Sequence, residues 1–564
     1  MKILGLCLND WNTSAAAVVD GRVVAAAREE RFNRERATRR FPAGALSYCL
    51  EASGLAVDDF DAVAAPVNPL LYLDAAGPAY AERARFRGEL LYAYPAFLAS
   101  RAPFRVDGTS VLAGRGAAGE RRIHYVTHHD AHAALAYHGS GFAHAAVLTL
   151  DAFGEQDSTV GYAAASDGLR RIGAVRFPHS LGCFYAALTA YLGFKPFDEE
   201  WKVMAAAALG DPEVLLPRIR SLVRLGEGFS FAMDLAPFEH YLFHTPALFS
   251  PELVALLGPS YGRDPSQRDQ RFFDVAAAAQ RTLEEVVLEL ARRLLAQTGA
   301  HDLCLAGGVA LNCVLNGKLA ERLPIDRLYV PAMPDDSGGS VGAALAVARE
   351  LGECAIEPLT HAYHGPAYAA DRIRAELARF GLAWREVDDL AAATAESIAA
   401  GKLVGWFQGR MEFGDRALGA RSILAHPGRA DVAARLRATV KPREEFQPFA
   451  PAVVAERAAE LFAGRFPSPF MERIAHARPR HRAALAAVTH VDGSARVQTV
   501  AHASNPEFHA VLTALEPRVG VPVALNTSFN VSGEPIVCTP ADAVRTFFAS
   551  GLDVLVLGPC ILTK

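Results

Sequence analysis

Two histidines and two aspartates are the residues whose types and spacing most directly predict chemistry. His128 and His132 are four residues apart, so on a helix their imidazoles share one face and can bind one cation. Asp151 ends one predicted strand and Asp336 begins a glycine-rich turn after another, where α/β folds collect site residues. Two nitrogen and two oxygen ligands suit Fe²⁺, Mn²⁺ or Zn²⁺ better than Ca²⁺. The alternative is a pair of polar surface histidines.

A metalloprotease is the main rival for this histidine pair. The H-E-x-x-H arrangement of such enzymes requires a glutamate beside the first histidine as general base. His129 occupies that position in this chain. The pattern therefore disfavours peptidase chemistry, and a bound metal would instead orient a nucleotide or polarise a carbonyl group.

Cationic and small polar residues are concentrated in the C-terminal half of the chain. They occur in the segments Gly409-Arg410, Phe413–Ser422, Lys441–Glu444, Arg496 and Asn526–Asn530. A phosphate-rich substrate needs several such donors, because guanidinium groups bind phosphate oxygens in bidentate fashion. For any single arginine the alternative is a solvated surface position, and it weakens where arginines stand among glycines and apolar residues.

The pair Gly307-Gly308 joins a short apolar run to a predicted helix. Glycine at this point lets a ligand approach the backbone, and a helix N-terminus favours phosphate. Strand-to-helix turns also use glycine for purely steric reasons. The segment from Gly307 to Asn312 is therefore a candidate ligand site with a structural alternative.

The elements that must position these residues occur twice in the first half of the chain. An apolar run, a polar loop and a hairpin signal at Asp20-Gly21 return in the same order from Ala145 to Asp167-Gly168. Asp-Gly between two apolar runs predicts a β-hairpin. Duplicated halves of this kind resemble the actin-like architecture, in which nucleotide and metal lie between the halves.

Length and pattern predict two α/β domains. A chain of 564 residues is longer than a single hydrophobic core usually organises. The pattern loosens between Glu350 and Ala367, so we predict domains of residues 1–355 and 356–564. Strand-like runs such as Leu403–Phe407 alternate with helical patterns in the second domain, which predicts α/β structure there as well.

Charge and cysteine content limit the partners and the compartment. The net charge of −5 gives no general attraction to nucleic acid or to an anionic membrane. The N-terminal apolar run stops at Asn9, and no run reaches the roughly 18 residues of a spanning helix, so we expect neither export nor membrane insertion. Eight scattered cysteines without a C-x-x-C pair fit a reducing cytoplasm. No signal predicts an oligomeric state.

The ordered motifs resemble the NodU/CmcH type of O-carbamoyltransferases, a family whose members carbamoylate tobramycin-type aminoglycosides and ansamycins. The resemblance covers nearly the whole chain. Its carriers are Asp20-Gly21, Glu29–Arg34, His128–Ala133, Leu150-Asp151, Gly154-Glu155, Ser180–Gly182, Trp201–Met204, Gly307–Asn312, Phe413–Ser422, Pro448–Pro451, Thr489–Gly493 and Leu525–Asn530.

This resemblance implies a two-step reaction. The N-terminal domain would be similar to the metal-binding subunit of the tRNA threonylcarbamoylation machinery, and the C-terminal domain to YrdC. The C-terminal domain would convert carbamoyl phosphate and ATP, with Mg²⁺, to carbamoyl adenylate. The other domain would hold Fe²⁺, or alternatively Mn²⁺ or Zn²⁺, and transfer the carbamoyl group to a hydroxyl of a small-molecule natural product.

The resemblance also implies three sets of site residues. The metal ligands would be His128, His132, Asp151 and Asp336. The residues contacting a nucleotide in the same domain would be Lys202, Gly307, Gly308, Val309 and Asn312. The residues binding carbamoyl phosphate and ATP would be Arg416, Arg421, Lys441, Arg443, Arg496, Asn526 and Ser528, of which Lys441 and Ser528 would be catalytic.

The chain departs from the family pattern at two positions. Relatives commonly carry an arginine directly before Pro-Phe-Ala-Pro, where this chain has Gln447, and Arg443 is the candidate to compensate. Relatives also carry a histidine in the loop after the first strand, as a candidate base for the acceptor hydroxyl. That histidine is absent here, so the catalytic candidates beside the metal are Asp10, Asn12 and His129.

Two other functions stay open at this point. Threonylcarbamoylation of tRNA uses the same activation chemistry but expects a basic surface, and this acidic chain has no obvious one. A non-enzymatic nucleotide-binding protein on the actin-like fold would not need the Lys441, Arg496 and Ser528 constellation. Aromatic residues that are candidates for an acceptor pocket, or for structural filling, are Tyr80, Phe86, Tyr92, Phe229, Tyr241 and Phe243.

Overall fold

A computed structural model describes residues 1–8, 12–68, 123–242 and 247–564, together with the backbone of four short strands between residues 105 and 121. Helices and strands alternate through most of these residues, which confirms the predicted mixed α/β class. Across the described ranges, no helix combines the length and apolar character needed to cross a membrane.

The strands are numbered in chain order. They are β1 (Lys2–Cys7), β2 (Ser14–Val19), β3 (Arg22–Arg28), β4 (Ala62–Pro66), β5 (Arg105–Asp107), β6 (Thr109–Val111), β7 (Gly114–Gly116), β8 (Gly119–Arg121), β9 (Ile123–Val126), β10 (Ala145–Leu150), β11 (Asp157–Ala165), β12 (Gly168–Arg176), β13 (Val223–Leu225), β14 (Phe231–Met233), β15 (Asp302–Ala306), β16 (Arg327–Tyr329), β17 (Val404–Phe407), β18 (Arg421–Ala425), β19 (Ala450–Val454), β20 (Phe462–Ala463), β21 (Ile474–Ala477), β22 (Ser494–Arg496), β23 (Gln498–Val500), β24 (Val523–Ser528), β25 (Val554–Leu557) and β26 (Cys560–Thr563).

The α-helices are numbered in the same way. They are α1 (Glu30–Asn33), α2 (Ala43–Ser53), α3 (His128–Ser140), α4 (Leu181–Tyr191), α5 (Glu200–Ala206), α6 (Leu216–Arg220), α7 (Pro251–Leu257), α8 (Gln270–Thr298), α9 (Cys313–Arg322), α10 (Gly339–Glu350), α11 (Ala370–Arg379), α12 (Leu390–Ala399), α13 (Ala430–Thr439), α14 (Ala458–Leu461), α15 (Pro506–Val519) and α16 (Pro540–Phe548). Short 3₁₀ turns include Gly308–Leu311 and Asp336–Gly338.

The chain divides into two compact units. The first comprises Met1–Asn9, Ser14–Val24 and Leu50–Pro358, and the second comprises Asp10–Thr13, Ala25–Cys49 and Leu359–Lys564. This division differs from two domains separated only near residue 355, because a piece of the N-terminal sequence packs with the C-terminal half. Buried ion pairs and hydrogen bonds made by that piece, described below, account for the difference.

The first unit contains two five-stranded sheets with the same strand order. One sheet has the order β3-β2-β1-β4-β9 and the other has the order β12-β11-β10-β15-β16. In each, the central strand pairs antiparallel with the strand that follows it and parallel with a later one, β4 in the first sheet and β15 in the second. The central strands are almost wholly buried, which explains their continuous apolar sequence.

Helix α3 packs between the strands of the second sheet and helix α10. Its residues Ala133, Ala136 and Tyr137 share a hydrophobic cluster with β10, β11 and β15. On the side facing α10, Gly342 brings the two helix backbones together, since an added Cβ there would lie 2.0 Å from the Ala131 carbonyl oxygen. The position of α3, and of the histidines on it, therefore depends on this close approach.

The second unit is built on a mixed seven-stranded sheet of order β23-β19-β24-β18-β17-β25-β26. One face of the sheet packs against α11, α13 and α16, and the other packs against α12 and α15. A three-stranded sheet, β20-β21-β22, lies beside it. The β18–β24 pairing places Ser422 opposite Ser528, which sets the polar end of β24 beside the loop preceding β18.

We predict that Gly342→Ala destabilises the first unit, because the new methyl group would collide with the α3 backbone. Overpacking of this kind costs about 1–3 kcal/mol or more, which urea unfolding would measure. The matched control is Gly262→Ala, whose new Cβ would be 3.5 Å from its nearest neighbour. Equal stability of the two variants would contradict the close α3–α10 contact.

Candidate functional site

The four predicted metal ligands converge in the first unit. Helix α3 starts directly at His128, with Thr127 as its N-cap, and His132 follows one turn later. The Nε2 atoms of the two histidines are 3.2 Å apart. One donor atom from each of His128, His132, Asp151 and Asp336 lies within 4.8 Å of all the others.

Distances within this cluster are those of ligands around one small centre. Asp151 Oδ2 is 3.3 Å from His132 Nε2 and 3.5 Å from His128 Nε2. Asp336 Oδ1 is 3.6 Å from His132 Nε2 and 3.7 Å from His128 Nε2. A cation between these atoms would replace direct contacts between the side chains with coordination bonds.

Electrostatics at the cluster favour positive charge. Burial opposes protonation of His132, but hydrogen bonds to Asp151 and Asp336 outweigh it and raise the pKa of His132 to about 10. Burial also opposes ionisation of Asp151, and the two histidines reverse this and hold its pKa well below the usual value. Carboxylates that stabilise a proton so strongly also stabilise a metal ion, and the donor set fits a borderline divalent cation.

The backbone around the cluster fixes the position of its ligands. The Gly308 N–H donates to Asp151 Oδ2 at 2.9 Å. The buried Glu155 carboxylate accepts the N–H of His128 at 3.0 and 3.1 Å and the N–H of Asn68 at 2.6 Å. Glu155 therefore holds the first turn of α3 to the loop that carries Asp151, a role that its Gly154-Glu155 motif had not indicated.

His129 is placed differently from the other two histidines of α3. Its Nε2 lies 2.9 Å from the Asp157 carbonyl oxygen and its Nδ1 lies 2.8 Å from Thr149 Oγ1. Since a carbonyl oxygen only accepts, Nε2 carries the proton and Nδ1 accepts from the hydroxyl. Burial and the neighbouring histidine charges lower its pKa well below the usual value. Both ring nitrogens are thus used within the fold.

The other catalytic candidates near the first strand give less information. Asn12 belongs to the second unit and has a left-handed backbone, with φ of 49°. Asp10 lies outside the described residues, as do Tyr80, Phe86, Tyr92 and Phe243.

Phe229 is buried and packs against Gly161 and Gly173 of the β11–β12 hairpin, which is a structural role.

The predicted nucleotide residues of the first unit fall into two places. Gly307, with φ of 92°, and Gly308 lie against the end of β10 and the Asp151 that follows it, and an added Cβ on Gly307 would be 2.1 Å from the Leu150 carbonyl oxygen. Asn312 caps α9 by accepting the Leu315 N–H and donates to Gln280. Val309 is buried in the 3₁₀ turn between them.

Lys202 lies on α5 and pairs with Glu199 at 2.7 Å. Its ammonium group also sits over the Phe194 ring, 5.2 Å from the centroid. The contact between Met204 and Cys313, at 3.8 Å between sulfur atoms, makes α5 a neighbour of the N-terminus of α9. The Trp201–Met204 and Gly307–Asn312 motifs are therefore adjacent.

A second cluster, in the second unit, surrounds the buried Lys441. Its Nζ donates to Ser528 Oγ at 3.0 Å and to Asn530 Oδ1. Burial first, and then the charges of Arg443 and Arg36, lower the pKa of Lys441 well below the usual value. Both of these partners are neutral, so neither of them compensates the charge of the ammonium group.

Arginines surround this lysine and repel one another. Arg443 donates to Thr527 Oγ1 at 3.3 Å. Burial and the charges of Arg416 and Arg437 lower the pKa of Arg443 to about 10. A fold that holds cations together against their repulsion provides a site for an anion with several charged oxygens.

Arg421 differs from the prediction that it binds the substrate. It is fully buried, lies over the Phe407 ring, and its terminal nitrogens donate to carbonyl oxygens including those of Gln408 and Pro366. Asn526 is likewise buried, with its amide donating to Ala417 and Gln498. These contacts brace the polar loop, while the buried Nε of Arg421 has no hydrogen-bond partner among the described residues.

Arg496 ends β22, two residues before Gln498 in β23. The Gln498 amide oxygen accepts from Asn526 at 2.7 Å, and its amide nitrogen donates to the Leu418 carbonyl oxygen. The loop of Arg416, the start of β23 and β24 are therefore joined by one hydrogen-bonded network.

The N-terminal segment Ala25–Cys49 holds the loops that carry this second cluster. Arg28 pairs with Asp415, and Arg31 donates to the Gly414 carbonyl oxygen at 2.9 Å. Burial raises the pKa of Asp415, but Arg28 and Arg416 outweigh it and lower the value to about 2. Arg34 donates to the carbonyl oxygens of Pro535 and Ile536, both at 2.7 Å, in the loop that follows Asn530.

Sequence comparison matches the segments that carry the two clusters to two parts of one protein family. Residues 2–345 match the family description "Carbamoyltransferase N-terminus" and residues 395–564 match "Carbamoyltransferase C-terminus". The chain belongs to the carbamoyltransferase family. This confirms the resemblance inferred from the motifs and identifies the protein as a transferase.

Named relatives agree with the family assignment. The nodulation protein NolNO of Sinorhizobium fredii is 38% identical over 569 residues, covering 98% of this chain and 78% of that protein. The 3'-hydroxymethylcephem-O-carbamoyltransferase of Streptomyces clavuligerus is 33% identical over 357 residues, covering 63% of each chain. Among solved structures, the (R)-2-hydroxyglutaryl-CoA dehydratase component A of Acidaminococcus fermentans aligns with a TM-score of 0.33 at 13% identity, over 61% of this chain and 97% of that one.

Several residues of this carbamoyltransferase were missed by sequence reasoning. Asn530 stands in the quoted Leu525–Asn530 motif, so its polar type beside Ser528 was an available signal. Arg31 and Arg34 lie in the Glu29–Arg34 motif, but no sequence pattern shows that the segment Ala25–Cys49 packs with the C-terminal half. Arg437 carried no signal, because it is one of many arginines on predicted helices.

We predict that His132→Gln reduces affinity for Fe²⁺, Mn²⁺ or Zn²⁺, measured by metal analysis after dialysis against a defined metal buffer. Loss of a ligand should cost at least the roughly 100-fold that loss of a supporting residue can cost. His138→Gln on the same helix is the matched control and should retain metal, because His138 is outside the cluster. Full metal content in His132→Gln would refute the ligand assignment.

We also predict that Arg34→Ala weakens binding of pyrophosphate by about 10-fold, because the loop that follows Asn530 loses two charge-assisted hydrogen bonds. Calorimetry at fixed ionic strength would measure this. Arg40→Ala is the control in the same segment, since Arg40 is exposed and pairs with the exposed Glu35. Equal pyrophosphate affinity in both variants would exclude a supporting role for Arg34.

Proposed function

We propose that this chain is an ATP-dependent O-carbamoyltransferase that makes carbamoyl adenylate in its second unit and transfers the carbamoyl group to a small-molecule hydroxyl at the metal cluster of its first unit. The observation that carries the proposal is the buried Lys441, held by Ser528 and Asn530 and surrounded by arginines. Family membership and the O-carbamoyltransferase named among the relatives support the same chemistry. The actin-like form of the first unit and the YrdC-like form of the second are part of this proposal.

The activation step is constrained by atom balance. Carbamoyl adenylate has a single oxygen between the carbamoyl carbon and the α-phosphorus of ATP. If pyrophosphate is the leaving group, water must first release phosphate from carbamoyl phosphate, and a carbamate oxygen then attacks the α-phosphorus. Both events build or move negative charge on phosphate oxygens, which positioned cations stabilise.

In this proposal Lys441, Arg443 and Arg416 bind these phosphate oxygens. Their mutual repulsion disfavours the empty site and is relieved when an anion arrives, so binding energy is concentrated at the reacting groups. Ser528 and Asn530 keep the Lys441 ammonium group in place. Mg²⁺ would accompany ATP. Arg421 and Asn526 hold the loop that surrounds the site. Arg496 adds a further cation to the same site.

In the first unit, His128, His132, Asp151 and Asp336 would hold a divalent cation, with Fe²⁺ as our first assignment. Such a cation would polarise the carbamoyl carbonyl or fix the adenylate phosphate. Gly307 and Gly308 let the adenylate approach the backbone next to Asp151. Glu155 keeps the α3 ligands aligned.

The sequence leaves two candidates, in the loop after β1, for the base that takes the proton of the acceptor hydroxyl. His129 has both ring nitrogens in hydrogen bonds, so it is better suited to hold α3 than to take a proton. Of the two, Asp10 has a carboxylate that can accept a proton and Asn12 has an amide that cannot. AMP would leave as the acceptor oxygen attacks the carbamoyl carbon.

We predict carbamoyl-phosphate-dependent exchange of radiolabelled pyrophosphate into ATP by the purified protein. Lys441→Ala should reduce this exchange by at least about 100-fold, because it removes the central cation of the site. Lys402→Ala is the matched control, since Lys402 is exposed in the same unit. His132→Gln should keep exchange, because the metal cluster serves the transfer step.

The outcomes separate the functions under consideration. Exchange without carbamoyl phosphate, or no exchange by the wild-type protein, rejects adenylate formation. Exchange that requires threonine and bicarbonate instead of carbamoyl phosphate would indicate threonylcarbamoylation chemistry. Nucleotide binding without any exchange would favour a non-enzymatic role.

A further inference from the structure

Arg437 is a cation of the second cluster that neither the motifs nor the family resemblance had identified. It lies in the last turn of α13, four residues before Lys441. Its guanidinium carbon is 5.3 Å from the centroid of the Phe449 ring, and that of Arg443 is 5.2 Å from the same centroid. The two arginines therefore share one buried aromatic side chain as their support.

The hydrogen bonds of Arg437 leave most of its donors available. One Nη2 hydrogen bond, at 3.3 Å, goes to the Gln447 carbonyl oxygen. Its Nε is buried and has no hydrogen-bond partner among the described residues. Burial lowers the pKa of Arg437, with Glu445 acting in the opposite direction. A guanidinium group in this state is ready to donate to an incoming anion.

Gln447 lies directly before Pro448, and its backbone carbonyl oxygen accepts the Arg437 hydrogen bond. Here its side chain is buried, and its amide nitrogen donates to the Glu444 carboxylate. Its amide oxygen is buried without a partner among the described residues. This side chain presents an acceptor to its surroundings and cannot attract a phosphate oxygen as a guanidinium group does.

We infer that Arg437 binds a substrate phosphate oxygen and supplies, from α13, the guanidinium group that Gln447 does not provide. The inference rests on the proposed function, because the phosphate belongs either to carbamoyl phosphate or to ATP. Arg443 is already directed to Thr527, so Arg437 is the arginine beside the Gln447 backbone with donors to spare. Phe449 positions it for this contact.

The test measures KM values for carbamoyl phosphate and ATP separately in the pyrophosphate-exchange assay. Arg437→Gln should raise KM for one of the two by about 10- to 100-fold, as expected for loss of a charged hydrogen bond. The substrate whose KM rises identifies the phosphate. Arg437→Lys keeps the charge but not the planar group, so its KM should lie between those of Arg437→Gln and the wild type.

A rescue variant gives the sharpest result. Adding Gln447→Arg to Arg437→Gln should return KM to within a few-fold of the wild type. Arg435→Gln is the matched control on α13, since Arg435 pairs with Asp553 in an exposed position, and it should leave both KM values unchanged. Unfolding midpoints of all variants would show that the fold is retained.

Two results would overturn the inference. One is an Arg437→Gln variant with both KM values unchanged, and the other is a raised KM that Gln447→Arg fails to lower. Both are read against a wild-type protein that performs exchange. Absence of exchange in the wild type would reject the proposed function itself, so the two failures are distinguishable.

Discussion

The second unit depends on holding cations together where water cannot screen them. Lys441 is buried and Arg443 is half-buried, and the charge of Arg443 lowers the pKa of Lys441. Such an arrangement is unfavourable unless surrounding structure fixes each group, because like charges in a low-dielectric site repel strongly. The hydroxyl partner on β24, the amide partner that follows this strand, the Phe449 ring and the backbone carbonyls around Arg421 provide that fixation. A bound anion would compensate the positive charge of these side chains.

The first unit holds negatively charged groups together, whereas the second holds positively charged ones. Two carboxylates and two imidazoles are brought within a few ångströms of one another. A proton bound to the imidazoles takes the place that a metal cation would have between the carboxylates. The ligands come from separate elements: one helix, the end of a central strand and the turn before another helix. The Gly308 N–H holds Asp151, and the Glu155 carboxylate holds the first turn of α3 by accepting the His128 N–H. Ligand geometry therefore follows from sheet order and from the close α3–α10 contact through Gly342.

Much of the architecture could be predicted from local sequence. The mixed α/β class follows from alternating apolar runs and helical patterns, and the repeated Asp-Gly hairpin matches two sheets with the same strand order. The four-residue spacing of His128 and His132 placed both on one helical face, as the structure has them. Asp151 and Asp336 could be added because strand ends collect at one edge of a sheet. In each case the relevant signal lies within a few residues, or within a rule about strand order.

The sequence by itself determined the residue types of both clusters, the helical face of the histidines and the family of the chain, because these are properties of short motifs. Only the tertiary structure decided which of these residues have free donors. Arg421 and Arg437 look equivalent as arginines, yet the terminal nitrogens of Arg421 donate to several carbonyl oxygens, whereas Arg437 makes one hydrogen bond among the described residues, to the Gln447 carbonyl oxygen. It also decided that Ala25–Cys49 belongs with the C-terminal half. The physical reason is that burial and hydrogen-bond partners arise from contacts between residues hundreds of positions apart, which no local pattern specifies.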